Sequence, residues 1–138
     1  MKCLFLSIEK WESKVTDLAT RGNNIVTDPM RKELLLIQDT CAILITYENS
    51  DTQKSKVDVF NKIMKEIVDL GRNNAFIVPF AHLSSNLGDA SEAKTFLEEL
   101  QEYLNAQEIQ CQREHFGSDK RIELILNSHP GCVRFREF

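Results

Sequence analysis

Residues that could do chemistry are concentrated in two short stretches of the sequence. In the first, residues 76–85, an apolar strand-like segment leads directly into a proline, an aromatic residue, a histidine and two serines. Ligand sites in α/β sheets favour the carboxyl ends of strands, so this loop could bind a small polar ligand through its main chain. His82 could orient water or hydrogen-bond a hydroxyl group. The alternative is that His82 caps the loop and the serines begin a turn.

The second stretch is FGSDK at residues 116–120, where a turn leads into a strand and presents a lysine. The ammonium group of Lys120 is a compact cation that could stabilise a developing oxyanion or, when desolvated, transfer a proton. The alternative is that Lys120 is an ordinary turn lysine surrounded by water.

Other recognisable chemical motifs are absent from the sequence. The three histidines and four cysteines are scattered, with no CxxC pair and no carboxylate at ligand spacing, so we expect no metal site. The sequence has no GxSxG elbow, no GxxxxGK[ST] loop and no GxGxxG fingerprint. We therefore expect no cofactor, and the common hydrolase, NTPase and dinucleotide-binding functions have no support.

Size and composition predict one folded domain over residues 1–138, because a chain of 138 residues can build one hydrophobic core but not two. No apolar run approaches the roughly 20 residues of a membrane span, and no signal peptide is evident, so we expect a cytoplasmic protein without a membrane contact. The net charge of −4 argues against nonspecific binding of long nucleic acids but is compatible with recognition of one terminal nucleotide.

Hydrophobic patterning predicts how these two stretches are positioned. Apolar runs predict strands at residues 3–6, 34–37, 41–47 and 75–78, the last of them ended by Pro79. Residues 7–33 are expected to be irregular, with at most a short strand near residues 11–15.

Apolar residues spaced three and four apart, from Val57 to Val68, predict an amphipathic helix over residues 53–70, with Gly71 just beyond its end. A capping box from Asp89 to Glu92 predicts a second helix that ends near Ala106. Residues 109–116 and 121–126 are expected to form a hairpin. The resulting fold class is α/β: a single domain with a mixed β-sheet and two main amphipathic helices packed on it.

The two chemical stretches together resemble a known family. The segment VPFAHLSSNL at residues 78–87, followed by Phe116-Gly117, Lys120 and His129-Pro130, is similar to the editing domain of archaeal-type threonyl-tRNA synthetases. The resemblance implies a D-aminoacyl-tRNA deacylase-like fold, a homodimer, and removal of serine wrongly attached to threonine tRNA. Such proofreading is useful because one methyl group supports only about 1–3 kcal/mol of discrimination.

Roles for individual residues are also implied by the resemblance. His82 and Lys120 would be the catalytic residues, with His82 near the ester and Lys120 positioning water or stabilising the oxyanion. The tRNA's own 2′-hydroxyl is expected to assist, so no serine or cysteine nucleophile is needed. The implied substrate-binding residues are Pro79, Phe80, Ala81, Ser84, Phe116, Gly117 and Asp119.

The chain differs from the usual family pattern at three places. It has Ser7-Ile8-Glu9-Lys10 where a His-Ser-Asp-Tyr-like segment is typical, Asp119 where an aromatic residue precedes the lysine, and Val133 in place of a glutamate. Two other functions therefore stay open: a non-catalytic module that binds aminoacyl-tRNA ends or docks a partner, and a D-aminoacyl-tRNA deacylase. The expected partners are the aminoacylated 3′ end of tRNA and a synthetase catalytic domain, in cis or in trans.

Overall fold

The computed structural model describes residues 1–22 and 24–138 and contains one six-stranded mixed sheet with two α-helices. The elements in chain order are β1 (Lys2–Leu18), β2 (Leu35–Thr46), a short 3-10 helix (Asn49–Gln53), α1 (Lys56–Asp69), β3 (Asn74–Pro79), α2 (Ala90–Ala106), β4 (Gln110–Arg113), β5 (Ser118–Leu126) and β6 (Val133–Glu137). The strand order is β4-β3-β2-β1-β5, and β6 also pairs with β1. β3 is parallel to both of its neighbours, and the other pairings are antiparallel.

Strand β1 is much longer than predicted and organises the sheet. One edge of it pairs with β2, while the other pairs first with β6 and then with β5. The prediction that residues 7–18 are largely irregular was therefore wrong. Every second residue from Trp11 to Val15 is buried, as in a strand with one buried face. The polar Ser13 in the middle of this series hides the pattern in the sequence.

The predicted hairpin between residues 109–116 and 121–126 was also wrong. β4 pairs with β3 at one edge of the sheet, whereas β5 pairs with β1 on the far side of β2 and β3. The chain between β4 and β5 therefore runs from one edge of the sheet to the opposite edge. β6 was not predicted, because its alternating sequence VRFRE is short and largely exposed.

The helices begin at side-chain caps. Ser55 Oγ accepts a hydrogen bond from Asp58 N at 3.4 Å, so α1 begins three residues later than the predicted start at Gln53. The Asp89 carboxylate accepts from the main-chain nitrogens of Ser91 and Glu92, which confirms the predicted start of α2. The helix ends at Ala106, also as predicted.

The two helices cover one face of the sheet and form the main core with it. Ile63 of α1 and Leu100 of α2 are fully buried there. A smaller cluster, which includes Trp11, Phe76 and Val78, lies on the opposite face. Two other members of the predicted α1 stripe, Val57 and Val68, point to solvent. Among the described residues, no helix is long and apolar enough to cross a membrane.

We expect Ile63→Ala to lower the free energy of unfolding by about 2–5 kcal/mol, because it leaves a cavity at a fully buried site. Val68→Ala, on the exposed side of the same helix, is the matched control and should change stability by only about 0.5 kcal/mol. Urea unfolding followed by circular dichroism measures both values. Equal losses at the two positions would show that α1 does not pack on the sheet as described.

Candidate active site

A cavity of about 430 Å³ lies beyond the carboxyl ends of β2 and β3, beside the start of α2 and the start of β5. Parallel strands commonly present ligand sites at this end. Eight of the nine predicted site residues line it: Pro79, Phe80, Ala81, His82, Phe116, Gly117, Asp119 and Lys120. The structure therefore brings together two stretches that are more than thirty residues apart in the chain.

The loop after β3 is held by the end of β2. Phe80 N donates to Ile45 O at 3.0 Å, and the Thr46 hydroxyl donates to Phe80 O and accepts from Leu83 N. These contacts bracket His82, whose ring packs edge-on against Phe80 with 5.1 Å between the ring centroids. The His82 side chain has no hydrogen-bond partner among the described residues, so the structure does not support the alternative in which it caps the loop.

Ser84 is the one predicted site residue outside the cavity lining. Its hydroxyl donates to the Glu48 carboxylate at 2.5 Å and accepts from Asn86 N at 3.1 Å. Ser84 therefore anchors the loop to the segment that follows β2. This contact stabilises the loop conformation that places Phe80 and His82 in the cavity wall.

Lys120 is half-buried, which distinguishes it from the fully solvated turn lysine of the alternative interpretation. Its ammonium group donates to Ser118 O at 3.1 Å. Burial lowers the pKa of Lys120 below its ordinary value, and the nearby Arg31 lowers it further, although Glu114, Asp119 and Asp28 oppose that shift. The amine therefore loses its proton more readily than a lysine in water.

A fully buried carboxylate, that of Glu114, lies behind this wall of the cavity. It accepts hydrogen bonds from Trp11 Nε1 at 3.0 Å, Ser13 Oγ at 2.5 Å, Arg31 Nη1 at 2.8 Å and His115 N at 2.8 Å. Burial alone would raise the pKa of Glu114, but these hydrogen bonds hold it below its ordinary value. Sequence analysis missed this network because a glutamate in a strand-like segment looks like a solvent-facing residue.

Residues 25–31 form a strap that is hydrogen-bonded along residues 113–118. Asp28 accepts from Phe116 N at 2.8 Å and from Arg113 Nη1 at 3.0 Å, while its own main-chain N–H donates to Phe116 O. The His115 ring bridges Pro29 O and Ser118 Oγ, each at 2.8 Å. The strap thereby fixes the main chain that leads to Lys120.

Gly117 is required at its position for two reasons. Its φ of +71° is in the left-handed region, which side chains rarely adopt. A Cβ atom there would also lie 2.3 Å from the main-chain oxygen of Val26 in the strap. The glycine of the FGSDK stretch therefore permits the strap to approach the cavity wall.

Comparison with known proteins decides which family this site belongs to. The sequence model of the family described as the archaea-specific editing domain of threonyl-tRNA synthetase matches residues 1–138. The chain belongs to this family.

Relatives with similar sequences are named threonine–tRNA ligases. Those of Thermococcus sibiricus and Thermococcus gammatolerans are each 29% identical over 134 residues, and that of Pyrococcus furiosus is 26% identical. Each alignment covers 94% of this chain but 21% of the ligase. The editing domain thus spans about a fifth of the length of the curated relatives it matches.

A solved structure described as the c-Myc DNA Unwinding Element Binding Protein has the same fold. The TM-score is 0.71 at 15% sequence identity, with 100% of this chain and 99% of that chain covered. The expected fold class, a D-aminoacyl-tRNA deacylase-like mixed sheet with two helices, is confirmed.

Of the positions at which this editing domain departs from the family pattern, one lines the cavity and the others do not. Residues 7–10 lie outside the cavity lining, and Trp11 forms part of the wall instead. Val133 also lies away from the cavity, on β6, and its side chain is about half exposed. His129 hydrogen-bonds the Ser7 hydroxyl at 3.1 Å. Asp119 is the one departure that lines the cavity.

The strap makes the stability of the editing domain sensitive to acid. Main-chain and ion-pair hydrogen bonds outweigh burial and lower the pKa of Asp28 from 3.8 to about 2. A depressed folded-state pKa contributes stability above pH 3.8, and that contribution is lost as the pH falls towards 2. We expect Asp28→Asn to be less stable than wild type at pH 7, with a difference that shrinks between pH 4 and pH 2.

Thermal unfolding of both proteins across this pH range measures the difference. Asp58→Asn is a control, since Asp58 is exposed and its carboxylate makes no ion pair in the described part of the chain. If the difference in unfolding temperature between Asp28→Asn and wild type stayed constant down to pH 2, the lowered pKa of Asp28 would be contradicted.

Proposed function

We propose that this domain is an aminoacyl-tRNA deacylase that hydrolyses L-seryl-tRNA(Thr). The observation that supports it most is the shared cavity of Lys120, His82 and the 79–81 main chain. Its volume of about 430 Å³ lies in the range of about 300–1,000 Å³ typical of small-ligand sites, and is suitable for a terminal nucleoside with a small acyl group. Membership of an editing-domain family supports the same reaction class.

The cavity supplies charge and position rather than a protein nucleophile. Among the described residues, the hydroxyl groups in its lining are those of Thr46, Tyr47 and Ser118. The Thr46 hydroxyl is hydrogen-bonded to the loop and the Ser118 hydroxyl to the His115 ring, while burial raises the pKa of the Tyr47 phenol and so disfavours its nucleophilic form. Water is therefore the attacking group in this proposal.

In the proposed reaction, water adds to the carbonyl carbon of the aminoacyl ester. Lys120 stabilises the negative charge that develops on the carbonyl oxygen. The tetrahedral intermediate then collapses, the ribose oxygen leaves and is protonated, and the products are the free amino acid and uncharged tRNA. The unpaired ring of His82 binds the ribose or orients the water, and the substrate's 2′-hydroxyl assists.

The proposed partners are the tRNA 3′ end and a synthetase catalytic domain, in cis or in trans, with the cytoplasm as the proposed location. The named relatives are threonine–tRNA ligases, and this chain aligns with about a fifth of their length. A catalytic domain elsewhere in the protein, or in a separate chain, would hold the body of the tRNA. This arrangement explains how a domain with a net charge of −4 could act on a polyanion.

We also propose that the domain forms a homodimer through the sheet face that the helices leave uncovered. Side chains on β5 and β6 form a half-exposed apolar surface there: Ile122, Leu124, Leu126, Val133 and Phe135. Contiguous apolar surfaces of this kind usually mark interfaces. Ile122 belongs to both the apolar surface and the cavity lining, so a second copy would cover one side of the site.

The first test is deacylation of L-seryl-tRNA(Thr), with L-threonyl-tRNA(Thr) as the correct aminoacyl ester. We expect rapid loss of serine only, and a decrease in kcat of about 10²-fold in Lys120→Ala, the scale of losing one oxyanion donor. Lys14→Ala is the matched control, because Lys14 lies on the neighbouring strand, is exposed, and has no ion-pair partner among the described residues.

Wild-type hydrolysis at the uncatalysed rate would overturn the proposal and favour the binding-module alternative. Faster loss of D-serine than of L-serine from the same tRNA would instead identify a D-aminoacyl-tRNA deacylase. An unchanged rate in Lys120→Ala would remove Lys120 from the mechanism.

The dimer is tested by changing the apolar surface. We expect wild type to sediment as a dimer and Phe135→Lys to sediment as a monomer, because the lysine places a charge in the interface. Val68→Lys, at a valine on α1 that is at least as exposed as Phe135, should remain dimeric. Analytical ultracentrifugation distinguishes these outcomes, and a monomeric wild type at micromolar concentration would contradict the proposed interface.

A further inference from the structure

Tyr47 separates the candidate active site from a second depression. A groove of about 250 Å³ lies beside the 430 Å³ cavity, lined by Tyr47, Thr52, Lys56, Ser91, Glu92 and Thr95. In the described part of the chain, Tyr47 is the one residue that both linings share. Its ring is therefore the wall between them, and its side chain is largely buried.

The position of this ring is closely determined by its neighbours. It packs on Phe96 of α2 with 5.5 Å between the ring centroids. On another side it lies against Gly88, where an added Cβ atom would be 2.6 Å from the Tyr47 ring. Gly88 N also donates to Tyr47 O at 3.0 Å. A wall held in this way has little freedom to move aside for a larger ligand.

Tyr47 also lies at the inner end of the cavity. Tyr47 and Leu97 belong to the main core, with relative exposures of 8% and 2%. At the β5 rim, Asp119 is exposed and Ile122 has an exposure of 46%. A nucleotide joined to a polymer through its 5′-phosphate must enter from the open rim, so the inner end of the cavity receives either its base or its acyl group.

We infer that Tyr47 determines which acyl groups the site accepts, by closing the end of the cavity that receives the amino-acid side chain. This inference rests on the proposed deacylase function and names a specificity residue for it. Replacing the ring by a smaller side chain joins the cavity to the groove and makes room for a bulkier acyl group. The Tyr47 hydroxyl, which has no hydrogen-bond partner among the described residues, is not required for this effect.

The test compares one tRNA charged with L-serine, L-threonine, L-leucine or L-phenylalanine. We expect wild type and Tyr47→Phe to hydrolyse the seryl ester in preference to the other three, because both keep the ring. Tyr47→Leu and Tyr47→Ala should raise kcat/KM for the leucyl and phenylalanyl esters relative to seryl by about tenfold or more, the scale of steric discrimination by an apolar pocket. Tyr47→Leu keeps the test available if Tyr47→Ala is too unstable to fold.

The outcomes distinguish this inference from the function on which it rests. Wild type that hydrolyses none of the four esters overturns both. Wild type that hydrolyses seryl-tRNA, with Tyr47→Leu giving the same ratios across the series, overturns the role of Tyr47 alone. A uniform change in KM for all four esters also overturns it, because that result would place the nucleoside rather than the acyl group against the ring.

Discussion

The charge of Glu114, held without access to water, is the constraint on which the rest of the site depends. Transferring a carboxylate into a protein interior costs several kcal/mol unless its oxygens are fully hydrogen-bonded. Here the donors come from β1, from the strap and from the adjacent peptide. One ionised group therefore requires three separate parts of the chain to meet, and an incomplete set of donors would leave a buried charge unpaired.

Trp11 and the strap connect the hydrogen bonds around Glu114 to the cavity. The indole that donates to Glu114 also forms part of the cavity wall. The strap that carries Arg31 also holds residues 113–118 through Asp28, and so determines where β5 begins. Lys120 lies near the start of β5. It is half-buried, and the charges of Glu114 and Arg31 both act on it. Burial in this packing lowers the pKa of Lys120, with a further contribution from Arg31, against the opposing charges of Glu114, Asp119 and Asp28.

A cavity of this kind suits a substrate that carries much of its own chemistry. Main-chain groups of the 79–81 loop, one ammonium group and one unpaired imidazole can position an ester, whose reactive oxygen atoms belong to the ligand and to water. In the proposed reaction, the size of the enclosed end is the main means of selecting the acyl group. Serine and threonine differ by one methyl group, so a rigid aromatic wall such as Tyr47 is physically suited to that discrimination.

The sequence by itself determined the fold class, α2 with its cap, β3 with its terminal proline, and the residues of two short motifs. Each of these depends on local periodicity, on capping or on neighbouring residues, which a sequence displays directly. Only the tertiary structure decided the length of β1, the separation of β4 from β5, and the burial of Glu114. Ser13 and Glu114 are 101 residues apart, and the burial of two polar groups becomes favourable only when folding pairs them.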